Sequence, residues 1–146
     1  MGCLTVLMAD DDADDRFLTE EAFRALGNCG DLLFVEDGEE LMQYLRHSGK
    51  YADPISSPRP TLIILDLNMP KKDGRQALVE IKRDPDLRRI PVVVWTTSDE
   101  KEDRIQCLKA GADDYVTKPA GYRELVSNMK RLVTIYAAQG TEDDKI

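Results

Sequence analysis

The chain has 146 residues, 42% hydrophobic and 33% charged, and carries a net charge of −8. This length suits one domain with a sizeable core, and the acidic excess excludes nucleic-acid phosphate or an anionic membrane as the main partner. No apolar run approaches the ~20 residues of a membrane span and no basic segment precedes the first one as in a signal peptide, so the expectation is a cytoplasmic protein.

The first apolar run, LTVLMA (4–9), reads as a strand. Aspartates follow it at once, at 10, 11, 12, 14 and 15, and a helix then starts with Leu18, Ala22 and Ala25 on one face. Gly2 does not make a myristoylation signal, because position 6 is Val6. DLLFV (31–35) is the second strand, and Asp37 with Glu40 forms a capping box for a helix that turns Leu41 and Leu45 inward. The single histidine, His47, falls late in that helix and reads as a surface residue, which excludes His-dependent triads and HExxH zinc chemistry. Residues 48–60, rich in Pro, Ser and Gly, form a long loop.

The third strand is TLIIL (61–65), followed by a helix lined by Leu78 and Ile81. PVVVW (91–95) is the fourth strand, with Ile105 and Leu108 on the inner face of the next helix. The weaker run DDYVT (113–117) is the fifth, and Leu125, Met129, Leu132 and Tyr136 stripe the last helix at i, i+4, i+7 and i+11. The domain is expected over 1–137, with 138–146 a polar tail. Cys3, Cys29 and Cys107 are odd in number and lack CxxC spacing, so they read as reduced thiols.

Five strand–helix repeats define an α/β fold, a doubly wound five-stranded parallel sheet with helices on both faces. In such a sheet all strand C-termini share one edge, where ligands bind. That edge gathers Asp10, Asp11 and Asp12 after the first strand, Asp66 after the third, Thr96 at the end of the fourth and Lys118 after the fifth. Two or three carboxylates suit Mg²⁺, a hard cation that prefers oxygen ligands. A carboxylate can also attack phosphorus to give an aspartyl phosphate. Lys118 then supplies a mobile positive charge for the phosphoryl oxygens, and Thr96 a hydroxyl donor. Singly, each has a plainer reading: Asp12, Asp14 and Asp15 as the acidic start of a helix, Lys118–Pro119 as a turn, Tyr115 and Trp95 as core aromatics.

Asp10–Asp11, Asp66 in "LDLNMPKKDG", Thr96 in "VVVWTTS" and Lys118–Pro119 in "YVTKPA" together resemble the receiver domains of two-component response regulators, over residues 4–137. The resemblance implies the flavodoxin-like strand order 2-1-3-4-5 and phosphorylation of Asp66 by a histidine kinase's phosphohistidine. It also implies Mg²⁺ held by Asp11, Asp66 and the main-chain carbonyl of Asn68, with Asp10 acting through water, and Thr96 with Tyr115 as a switch pair. A homodimer through the fourth and fifth helices is a further expectation. "LNMPKKDG", "DPDLRRIPVVVWTTS" and the loop at 48–60 resemble single-domain regulators paired with bacterial and cyanobacterial phytochrome histidine kinases.

Three positions depart from the family pattern. Thr97 stands where a small residue is usual, with a branched side chain able to narrow access to the phosphoryl group; Ala120 replaces an aromatic; Asp12 adds a third carboxylate beside the metal pair. Rival functions fare less well. Asp10, Asp12, Asp14 and Glu21 mimic an EF-hand, but Asp15 occupies the position that needs Gly. A phosphatase resembling the haloacid dehalogenase superfamily needs an acid two residues beyond its nucleophile, where this chain has Asn68. A flavin carrier of this fold would meet aspartates where a phosphate must sit. A receiver fold kept only for binding, without phosphorylation, stays open.

Overall fold

The computed structural model describes residues 3–27 and 30–144. Strands β1 (Thr5–Ala9), β2 (Asp31–Val35), β3 (Leu62–Leu65), β4 (Val92–Thr96) and β5 (Asp114–Thr117) form one parallel sheet in the order β2-β1-β3-β4-β5. Helices α1 (Ala13–Ala25), α2 (Gly38–Leu45), α3 (Gly74–Arg83), α4 (Lys101–Ala110) and α5 (Tyr122–Asp144) alternate with them, and the loop at 48–60 contains a 3₁₀ turn, Gly49–Tyr51. α5 thus continues beyond 137 as a regular helix.

Side chains alternate across a strand, so β1 feeds two cores. Val6 and Met8 meet Ala22 and Phe23 of α1 and Leu125, Met129, Leu132 and Tyr136 of α5. Leu7 and Ala9 meet Leu41 and Leu45 of α2, Leu78 and Ile81 of α3, and Cys107 of α4. β3, LIIL, is buried at every position because helices cover both faces of the sheet.

The sequence periodicity misplaces two helix faces. On α1, Leu18 is 44% exposed and Ala25 is also outside, whereas Thr19, Ala22 and Phe23 are buried. The packed face is rotated by about a quarter turn from the Leu18–Ala22–Ala25 line. On α4, Ile105 and Leu108 are exposed, and Cys107 faces the core with Asp103 one turn before it. The cysteine reading is also corrected. Cys107 is free and buried, but Cys3 is disulfide-bonded, and Cys29 lies outside the described residues.

One glycine sets the entry to the site. A Cβ on Gly74 would lie 2.2 Å from the main-chain oxygen of Asp66, so only glycine lets α3 start against the end of β3. Its N–H donates to the Leu67 carbonyl at 3.0 Å, which fixes the loop after Asp66.

Candidate functional site

Three acidic and basic residues reach one place because each extends the sheet ladder by a residue. Asp10 N–H donates to Val35 O at 3.0 Å, Asp66 N–H to Ala9 O at 3.0 Å, and Lys118 N–H to Thr96 O at 2.7 Å. Their side chains emerge together at the C-terminal edge. Lys118 Nζ lies 2.9 Å from Asp10 Oδ2, 3.0 Å from Asp66 Oδ2 and 2.6 Å from Asp15 Oδ2.

Asp10 is fully buried and Asp66 nearly so, while Asp11 is exposed. Asp10 Oδ1 accepts from Asp12 N–H at 2.9 Å, and Asp66 Oδ1 from Asn68 N–H at 3.3 Å. Asp10 Oδ2 has no aligned hydrogen bond; its contact with Lys118 is an ion pair of poor direction. Burial raises the Asp10 pKa above the ordinary carboxylate value, opposed by the Asp12 amide and by Lys118. Burial also disfavours the Lys118 ammonium, but the Asp15, Asp10 and Asp66 carboxylates around it outweigh that, so its pKa is raised.

Asp10, Asp11 and Asp66 offer carboxylate oxygens within 4.8 Å of one another. Hard oxygen donors at this spacing, one of them buried without an aligned donor, fit a divalent cation. Asp12 is not in this group: it is the N-cap of α1, its side chain accepting from Asp14 N–H and Asp15 N–H. The extra carboxylate beside the metal pair therefore starts a helix. Asp15, read from sequence only as part of that start, is a direct partner of Lys118.

Thr96 is buried, and its Oγ1 accepts from Ser98 N–H at 3.3 Å. Tyr115 is already inside, 4% exposed, with its hydroxyl donating to Ser98 O at 2.9 Å. The Tyr115 ring is thus packed inward in this structure. At the open edge of β5, Tyr115 N–H donates to Asp114 Oδ1 at 2.8 Å and its carbonyl accepts from Arg104 at 3.4 Å. Thr97 and Ala120 are exposed near these strand ends, and Asn68 is exposed beside Asp66. His47 has φ 53° and its ring nitrogen bonds Ser57 O at 2.9 Å, a loop anchor remote from the carboxylates in the fold.

A second polar group was not visible in the sequence. Arg75 of α3 forks onto Asp103 of α4, Nε to Oδ1 at 3.0 Å and Nη2 to Oδ2 at 2.8 Å. Ser98 Oγ donates to the same carboxylate at 2.7 Å. Arg75 and then Ser98 hold the Asp103 carboxyl below its usual range. No local motif marks this pair; it exists because α3 and α4 are neighbours across the β4–α4 loop.

The sheet order, the acidic trio and the lysine define a phosphoacceptor-type α/β module. Residues 6–130 match the response regulator receiver domain, and the chain belongs to that family. Among its relatives is the response regulator Rcp1 of Synechocystis sp., 42% identical over 120 residues, spanning 82% of this chain and 80% of that protein. The crystal structure of the phosphorylated cyanobacterial phytochrome response regulator RcpA superposes with a TM-score of 0.85 at 38% identity, covering 92% of this chain and 94% of that one. The Mn²⁺-bound form of response regulator Rcp1 gives 0.83 at 37% identity, with coverage of 92% and 94%.

Proposed function

We propose that this receiver takes a phosphoryl group from a kinase phosphohistidine onto Asp66, with Mg²⁺ as its cation. An Asp66 oxygen forms the new P–O bond while the N–P bond of the phosphohistidine breaks, and the imidazole keeps the electron pair. Asp10, Asp11, Asp66 and the main-chain carbonyl of Asn68 would hold the cation, which when bound offsets negative charge on the phosphoryl oxygens. Lys118 neutralises a further oxygen, and Thr96 donates its hydroxyl to another. The observation that carries the reading is the Lys118 ammonium within ion-pair distance of Asp66 beside a divalent-type carboxylate set.

The neutral Asn68 amide cannot take a proton from an attacking water, so self-hydrolysis of the aspartyl phosphate is slow and the modified state persists as a signal. Thr96 and Tyr115 form the switch; with Tyr115 already inside, phosphorylation shifts the population toward a geometry the protein already visits. Similarity to Rcp1 and RcpA supports a phytochrome-type histidine kinase as donor. Self-association through α4 and α5 is supported by the exposed Ile105, Leu108 and Ile135. A cytoplasmic setting agrees with the described helices, none of which is long and apolar enough to cross a membrane. The receiver domain proper ends by 137, the rest of α5 being a polar extension.

The test is intact mass after incubation with acetyl phosphate and Mg²⁺. Wild type gains one phosphoryl group, and both Asp66→Asn and a metal-free sample gain none. No gain in wild type means either that Thr97 blocks access to Asp66 or that the fold is kept for binding alone.

A further inference from the structure

Three carboxylates surround the Lys118 ammonium: Asp15 and Asp66 accept its hydrogen bonds, and Asp10 pairs with it by charge. Two of the three, Asp10 and Asp66, belong to the group of oxygens that can hold a divalent cation; Asp15 does not. Lys118 and a bound cation would therefore draw on the same two carboxylates, Asp10 and Asp66, and repel each other there. Asp15 is the partner that remains available to the ammonium when the others are taken.

Its geometry suits that task. Asp15 sits in the first turn of α1, with its N–H bound to Asp12 Oδ1 at 3.2 Å and its carbonyl accepting the Thr19 hydroxyl at 2.7 Å. The Lys118 side chain is 10% exposed; its partner Asp15 is 35% exposed, whereas its partner Asp10 is fully buried. The shortest of the three ion pairs is the one to Asp15. An ammonium released from Asp10 and Asp66 thus stays at the rim of the site and does not swing into solvent.

We propose that Asp15 is a positioning residue that holds Lys118 clear of the cation's oxygens while keeping it within reach of the Asp66 phosphoryl group. The inference rests on the phosphoacceptor reading above. It differs from simple charge attraction in one respect: Asp15 acts on the cation through Lys118, and without Lys118 it has no lever.

A double-mutant cycle separates the two. Mg²⁺ affinity is measured by calorimetry on wild type, Asp15→Asn, Lys118→Ala and the double variant, each checked for folding by circular dichroism, with Lys118→Gln in place of Lys118→Ala should that protein not fold. Asp15→Asn is expected to weaken Mg²⁺ binding by roughly three- to tenfold when Lys118 is present and by less than about twofold when it is absent. Asp15→Glu, which restores the charge, is expected to recover most of the loss. An equal loss in both backgrounds, or no loss in either, overturns the inference while leaving the phosphoacceptor reading intact. A wild-type protein that neither binds Mg²⁺ nor gains a phosphoryl group overturns both.

Discussion

Asp103 carries a pH signature of its own. Its carboxyl is depressed by Arg75 and Ser98, so it contributes stability at every pH above the unfolded carboxylate value of about 3.9. That contribution is lost as pH falls through the lower folded-state value. Because Arg75 is 40% exposed, solvent screening limits the expected cost of Asp103→Asn to about 0.5–1 kcal/mol at neutral pH. Urea melts across the acid range should show the gap between the two proteins constant near neutrality and closing below about pH 4. A gap that widens with acid would contradict the assignment. Asp66 and Lys118 could be picked out of the sequence because each ends an apolar strand with a charge. Asp103 and Arg75 could not, because nothing near either residue distinguishes it from ordinary helix-surface charge. Asp15 was hidden differently: helix-start chemistry already accounted for it, so its second contact left no trace in the pattern.

At the level of the helices, Asp12 fixes the start of α1 by accepting two amides. Asp12→Ala should cost about 1 kcal/mol in a thermal or urea melt, and through the loosened first turn should also lower Mg²⁺ affinity. On α5, Met129 is fully buried against the β1–β3–β4 face, and Met129→Ala should cost about 2–5 kcal/mol. β1, β3 and β4 were legible because continuous apolar runs are what a sheet covered on both faces demands. α5 was equally plain, its buried stripe running from Leu125 to Tyr136 through about three turns. α1 and α4 misled because each carries apolar residues outside its packed face: Phe17 and Leu18 on one, Ile105 and Leu108 on the other. Periodicity reports where apolar residues lie on a helix, whereas burial depends on which neighbour the helix meets. In α4 the inner line is shared by Cys107 and the charged Asp103, a combination no hydrophobic count would select.

For the whole molecule, the site links folding to ions. Lys118 neutralises a buried Asp10 and a nearly buried Asp66. Lys118→Ala leaves those charges unpaired and should cost about 3–5 kcal/mol. Divalent cation binds only the folded site, so Mg²⁺ should raise the melting temperature of this variant by more than it raises that of wild type. An equal rise in both proteins would show that Lys118 and the cation do not share oxygens.

The sheet order leaves β2 and β5 as outer strands, and an outer strand is a template on which another chain can pair and aggregate. At Tyr115 that template is filled: the outward N–H is taken by Asp114 and the outward carbonyl by Arg104. Pro119 lies just beyond the strand, where it can offer no amide to a ladder. β5, four residues long, is thereby guarded at its middle by its own Asp114 and by Arg104 of α4, and an incoming strand would have to break both bonds to pair with Tyr115.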